Sequence, residues 1–75
     1  LVAVSNTSGL AGIVHWINSY YHLTGERALS KNSILAAKVK EWVDEEYAGG
    51  RVTVLTDNEL VARIDEICDK YGIVL

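Results

Sequence analysis

Apolar residues at Leu10, Ile13, Val14, Ile17 and Tyr21 follow the three- and four-residue spacing of one helix face. The Asn6-Thr7-Ser8 cluster before them offers N-cap residue types, and Gly25 ends the segment, so a first helix is predicted across Gly9–His22. Glu26–Ser30 then reads as a polar connection. A second helix is predicted from Asn32 or Ser33, with Leu35, Val39, Trp42, Val43 and Tyr47 on one stripe and Ala48-Gly49-Gly50 as its stop. The third has the clearest entry, because Thr56-Asp57-Asn58-Glu59 is a capping box in which Glu59 can reach back to the Thr56 amide. Its apolar face is Leu60, Val61, Ile64, Ile67, Cys68 and Tyr71, and Gly72 follows as the terminating residue. Glu59/Arg63 and Glu66/Lys70 have the spacing of helix-stabilising ion pairs.

Arg51–Leu55 alternates in a β-like way, but a five-residue strand needs a neighbour. Leu1–Val4 and Ile73–Leu75 are the segments available to pair with it. The expected fold class is therefore all-α: a small three-helix subdomain over residues 1–75 with a short extended connector whose Val52 and Val54 lie on the helices. The alternative is α+β with a minimal sheet. The expected core is Ile13, Ile17, Leu35, Val39, Trp42, Val43, Leu60, Ile64 and Ile67. On that expectation Trp42→Ala costs about 3–5 kcal/mol, enough to unfold so small a domain.

Length and composition then narrow the classes. Seventy-five residues make one domain, and 49% hydrophobic residues set it apart from a disordered tail. Chains this short are marginal without a staple, and Cys68 is the sole cysteine, so no internal disulfide forms. Methionine is absent, which leads us to expect a processed chain or a piece of a longer one. The net charge is −3 with no basic run, which argues against nucleic acid as a partner. No positive n-region suggests a secretory signal, and no apolar run approaches the ~20 residues of a membrane span. A single unpaired cysteine fits a reduced, cytoplasmic compartment.

Charge placement says more than charge number. Residues 1–25 hold no Asp, Glu, Lys or Arg. The first helix thus lacks a charged face, and Gly9, Ala11 and Gly12 leave room for a second backbone. This predicts a helix covered on one side by its own domain and on the other by a partner or another domain. The second helix carries Lys31, Lys38 and Lys40 toward its start and Glu41, Asp44, Glu45 and Glu46 toward its end, the reverse of what its dipole favours.

Little chemistry is legible in the residues alone. His15 and His22 are seven apart, so about 10 Å separates them along a helix, and they cannot converge on one zinc. Cys68 sits among Asp65, Glu66 and Asp69, which oppose thiolate formation. Ser8-Gly9 at a helix start is a place where main-chain amides can receive a carboxylate or phosphate, and a plain N-cap accounts for it equally well. No phosphate loop and no nucleophile with a base beside it occurs.

Several strings together resemble one family. Val4-Ser5-Asn6-Thr7-Ser8-Gly9-Leu10-Ala11-Gly12-Ile13 is similar to the stretch that follows the catalytic barrel in Claisen-type acyl-CoA condensing enzymes. These are the isopropylmalate, homocitrate, citramalate and Re-type citrate synthases of the DRE-TIM metallolyase group. Trp42-Val43-Asp44-Glu45-Glu46-Tyr47 and Gly50-Arg51-Val52-Thr53-Val54-Leu55-Thr56-Asp57 look like later parts of the same extension. The resemblance implies a helical subdomain of a homodimeric acyltransferase that condenses acetyl-CoA with a 2-oxo acid. It implies a divalent metal held by the barrel and no cofactor in these 75 residues. It also implies that residues 1–25 meet the chain's own barrel and a second protomer. Ser8-Gly9-Leu10 is followed by Ala11 where the isopropylmalate branch has a histidine, which leaves His15, one turn on, as the candidate catalytic histidine. Tyr20, Tyr21 and Tyr47 are the available tyrosines, with Tyr47 the candidate catalytic one and Ser8 and Gly9 the candidate substrate-binding residues. Two other classes compete. One is a non-catalytic helical interaction or oligomerisation module. The other is an acyl-carrier-like domain, for which Asn32-Ser33-Ile34 lacks the required aspartate.

Overall fold

In the computed structural model, which describes residues 3–75, the elements run α1 (Leu10–Tyr20), a 3₁₀ turn (Gly25–Arg27), α2 (Ile34–Ala48) and α3 (Asp57–Tyr71). The described residues contain no β-strand, so the chain is a small all-α domain. α2 is the middle helix and packs against both α1 and α3.

Both ends of α1 differ from expectation. Its N-cap is Gly9, in extended conformation, and no side chain caps it. The Ser8 hydroxyl instead accepts from the Ser5 amide at 3.0 Å, and the Ser8 amide donates to the Ser5 carbonyl at 3.0 Å. The cluster expected to cap the helix folds on itself as a turn. At the other end α1 stops at Tyr20, short of His22. The Leu23 amide turns back to the Asn18 carbonyl at 2.9 Å, and Leu23 becomes buried. His22 takes up the reversal at φ +55, in the left-handed region where a side chain is uncommon.

The starts and stops of the other helices follow the sequence closely. The Ser33 hydroxyl caps α2 by accepting from the Ala36 amide. The Thr56/Glu59 capping box opens α3, and Gly72, at φ +66, closes it. The ion pairs are rearranged: Glu59 turns to Arg51, and Arg63 pairs with Glu66 at 3.0 Å.

All of the expected core is buried except Trp42, which is partly exposed at the edge of the cluster. The buried tryptophan is Trp16, 2% exposed, on α1. α2 buries Leu35, Ala36, Val39 and Val43 between its two neighbours, a stripe that turns Trp42 to the rim beside α3. Val4, Leu23 and Leu55 complete the core from outside the helices.

The connector also reverses an expectation. Val52 is 92% exposed and Val54 53%, while Leu55 is buried. Leu55 forms one antiparallel bridge with Val4, its amide donating to the Val4 carbonyl at 3.0 Å. The small sheet held as an alternative reduces to this contact. Leu1 and Val2, named with Val4 as pairing candidates, lie outside the described residues. Ile73 ends α3 by donating to the Cys68 carbonyl at 2.9 Å.

Candidate functional site

α1 faces inward through Ile13, Trp16 and Ile17. A period of 3.6 puts Ala11 and His15 on the opposite side, with Gly12 and Ser19 on the flank next to Trp16, and Ala11, Gly12 and His15 are exposed. Ser8 adjoins this face, its Cβ 3.8 Å from where a side chain on Gly12 would begin. Ser8, Gly9 and His15 therefore share one uncharged surface that starts at the open end of α1. Since neither a capping side chain nor an acidic residue occupies the first turn, its free amides point outward with their partial positive charge.

Tyr47 belongs to a different cluster. At the end of α2, its hydroxyl donates to the Thr53 carbonyl. Arg51 Nε donates to the same oxygen at 3.0 Å and Nη2 to the Val54 carbonyl at 2.9 Å. Nη1 reaches Glu46 at 3.2 Å and Glu59 at 2.6 Å, and Nη2 reaches Glu59 at 2.7 Å. Every guanidinium donor is engaged, so one residue ties the end of α2, the connector and the start of α3. Glu59 also accepts from the Thr56 amide at 3.1 Å. The Arg51 hydrogen bonds, followed by that amide, hold the Glu59 carboxyl at about 2. The same partnership raises Arg51 above its ordinary range. The sequence reading missed Arg51, although a signal existed: it is the one cation between Lys40 and Arg63, a stretch holding Glu41, Asp44, Glu45, Glu46, Asp57 and Glu59.

Neither remaining titratable candidate is activated. Burial, then Asp65 and Asp69, push the Cys68 thiol up, so it stays protonated. Burial, then Asp65, does the same to Tyr21, whose hydroxyl is enclosed without a hydrogen-bond partner. Among the described residues no group of three His, Cys, Asp or Glu side chains could hold a metal ion. No helix among them is long and apolar enough to cross a membrane.

A groove of about 400 Å³ opens between α2 and α3, with Trp42, Ile67 and Tyr71 among the residues that line it. Arg63 lies over the Trp42 ring at 5.5 Å from its centroid, and Lys38 and Lys70 each lie 5.5 Å from that of Tyr71.

Over most of its length the chain is homologous to part of an acyl-CoA condensing enzyme of the DRE-TIM metallolyase group. The proteins it matches are citrate (Re)-synthases. It is 43% identical over 67 residues to that of Clostridium kluyveri, a match covering 89% of this chain, and 38% identical over 61 residues to that of Syntrophus aciditrophicus, covering 81%. The match spans 15% of the first relative's length and 10% of the second's. No family model matches the chain, and no solved structure does.

Proposed function

We propose that this domain is the helical segment of an enzyme that condenses acetyl-CoA with oxaloacetate to form citrate, and that α1 carries its contribution to the site. The similarity to two citrate (Re)-synthases is the observation that carries this reading. In the condensation the acetyl methyl carbon loses a proton and attacks the ketone carbon of the 2-oxo acid, and water then releases CoA from the thioester. Such a reaction needs groups that hold carboxylates and move protons. Ser8 and Gly9 stand at the uncapped start of α1, where the open amides suit a substrate carboxylate. His15, exposed on the same side, is the group that can give or take a proton. Tyr47 is placed to hold the connector through Thr53, which makes it the weaker of the two catalytic candidates.

The uncharged side of α1 docks on the catalytic barrel, its own or that of a second protomer. Any divalent metal is held by that barrel, since the described residues offer no ligand set for one.

The test is made in the longer polypeptide that contains this segment, supplied with acetyl-CoA and oxaloacetate. Gly9→Asp places a carboxylate at the start of α1, where a new Cβ meets nothing within 4 Å. It should raise KM for the 2-oxo acid about tenfold with the fold intact. His15→Ala should lower kcat by about 10²-fold or more. Unchanged kinetics in both variants would overturn this assignment of α1.

A further inference from the structure

α1 meets the rest of the domain almost wholly through apolar side chains. It holds no Asp, Glu, Lys or Arg, no side chain caps its start, and its buried residues are Ile13, Trp16 and Ile17. Apolar burial has no preferred direction, so it fixes the depth of a helix against its neighbour better than the rotation about its own axis. Among the described residues, one side chain of α1 makes hydrogen bonds to another part of the chain. The Asn18 amide group donates to the Leu29 carbonyl at 3.1 Å, and its oxygen accepts from the Leu29 amide at 2.8 Å. Two directional bonds to a single residue set the angle of the helix side that carries them as well as its position.

Leu29 is itself a fixed point. Its side chain packs against the core, and the turn after it is closed by the Ser33 amide donating to the Ser30 carbonyl at 3.0 Å, just where Ser33 caps α2. Asn18 thus ties the setting of α1 to the start of α2. It lies three residues past His15, about 4.5 Å along the axis and about 60° round it. His15 is exposed and Asn18 half-buried, so the link runs along the margin of the face that presents the imidazole.

We infer that Asn18 is a positioning residue: through Leu29 it sets the rotation of α1 and thereby the place of the His15 ring. The inference rests on the role proposed above for His15. Helix geometry makes that ring the sensitive part. Side-chain tips lie about 5–6 Å from a helix axis and Cα atoms about 2.3 Å, so a turn of about 20° carries the imidazole about 2 Å and the main chain at Gly9 about 0.8 Å. A misplacement of about 1 Å can cost about 10²-fold in rate. Loss of the Asn18 bonds therefore falls on proton transfer at His15 and largely spares carboxylate binding at the start of α1.

Two measurements test it. In the 75-residue chain, amide residual dipolar couplings vary periodically along each helix, and their phase reports rotation about its axis. In Asn18→Ala the α1 phase should shift by about 20° or more while α2 and α3 keep one common frame. Asn18→Asp keeps the acceptor for the Leu29 amide and loses the donor to its carbonyl, so it should shift the phase less and supplies the folded variant if alanine is not tolerated. In the longer polypeptide, supplied with acetyl-CoA and oxaloacetate, both variants should lower kcat about tenfold or more and leave KM for oxaloacetate within about twofold. Trp42→Ala, on the α3 side of α2, loses stability without touching this link and should keep the parent's kcat. An α1 phase equal to the parent's in both Asn18 variants overturns the inference. So does an unchanged kcat, a KM that rises as much as kcat falls, or an equal loss of kcat in Trp42→Ala. His15→Ala separates two failures. A lowered kcat there with intact kcat in the Asn18 variants overturns this inference alone, whereas intact kcat in all three overturns the reading of His15 and this inference with it.

Discussion

Arg51 grips Glu59 with both ends of its guanidinium, Nη1 to Oε2 at 2.6 Å and Nη2 to Oε1 at 2.7 Å. Planar fork meets planar carboxylate, a geometry that a lysine cannot reproduce. The same Glu59 completes the capping box of α3, so one carboxylate starts a helix and anchors the connector that precedes it.

This pair should set the acid limb of stability. Glu59 is held at about 2 against an ordinary 4.5, so its contribution is fully present above pH 4.5 and is lost as pH falls through about 2. Thermal melts between these limits should show a falling Tm in the parent. Glu59→Gln should lower Tm at neutral pH and flatten the fall. An unchanged slope in that variant would move the acid sensitivity to another carboxylate.

The two tryptophans should behave unequally. Trp16, 2% exposed and stacked on Tyr20 at 4.8 Å, should cost about 3–5 kcal/mol when replaced by alanine, which is most of the stability of so small a domain. Trp42→Ala should cost only about 1–2 kcal/mol, since its ring is partly in solvent. Urea denaturation of the two variants decides the order.

Tyr21 carries a buried hydroxyl with no partner. Tyr21→Phe removes an unsatisfied group and keeps the ring, so it should leave stability unchanged or raise it by up to about 1 kcal/mol. A fall in Tm would show that the hydroxyl is bonded in solution.

Asn18 works like a piece of main chain. Its side-chain amide donates to the Leu29 carbonyl at 3.1 Å and accepts from the Leu29 amide at 2.8 Å, fastening the link between α1 and α2. Asn18→Ala breaks both bonds and should cost about 1–3 kcal/mol. Faster amide exchange at Leu29 would be its local signature.

At Gly9, stability and the proposed function should part company. In the isolated chain Gly9→Asp supplies the missing cap and a favourable charge for the α1 dipole, and should stabilise it by about 0.3–1 kcal/mol. The same change should impair substrate binding in the longer enzyme. Finding both effects would separate the role of this position in the fold from its role in the site.

Local signals were enough for much of this domain. The capping box at Thr56–Glu59, the serine cap at Ser33, the stops at Gly49 and Gly72, and the apolar stripes of α2 and α3 depend on neighbours within a turn or two, so they are legible in order along the chain. Tertiary structure alone decided the rest. Trp16 rather than Trp42 is enclosed because α2 lies between its neighbours, and nothing in a single helix's periodicity says which of two tryptophans has a second helix above it. α1 ends at Tyr20 because Leu23 must return to the core, and Val52 and Val54 face outward because Leu55 meets Val4. Arg51 takes Glu59 in addition to the nearer Glu46 at the end of α2 because chain reversal brought a planar carboxylate within bidentate reach. Sequence spacing encodes contacts within an element, whereas contacts between elements are selected by which of many compatible surfaces the whole chain can bury at once.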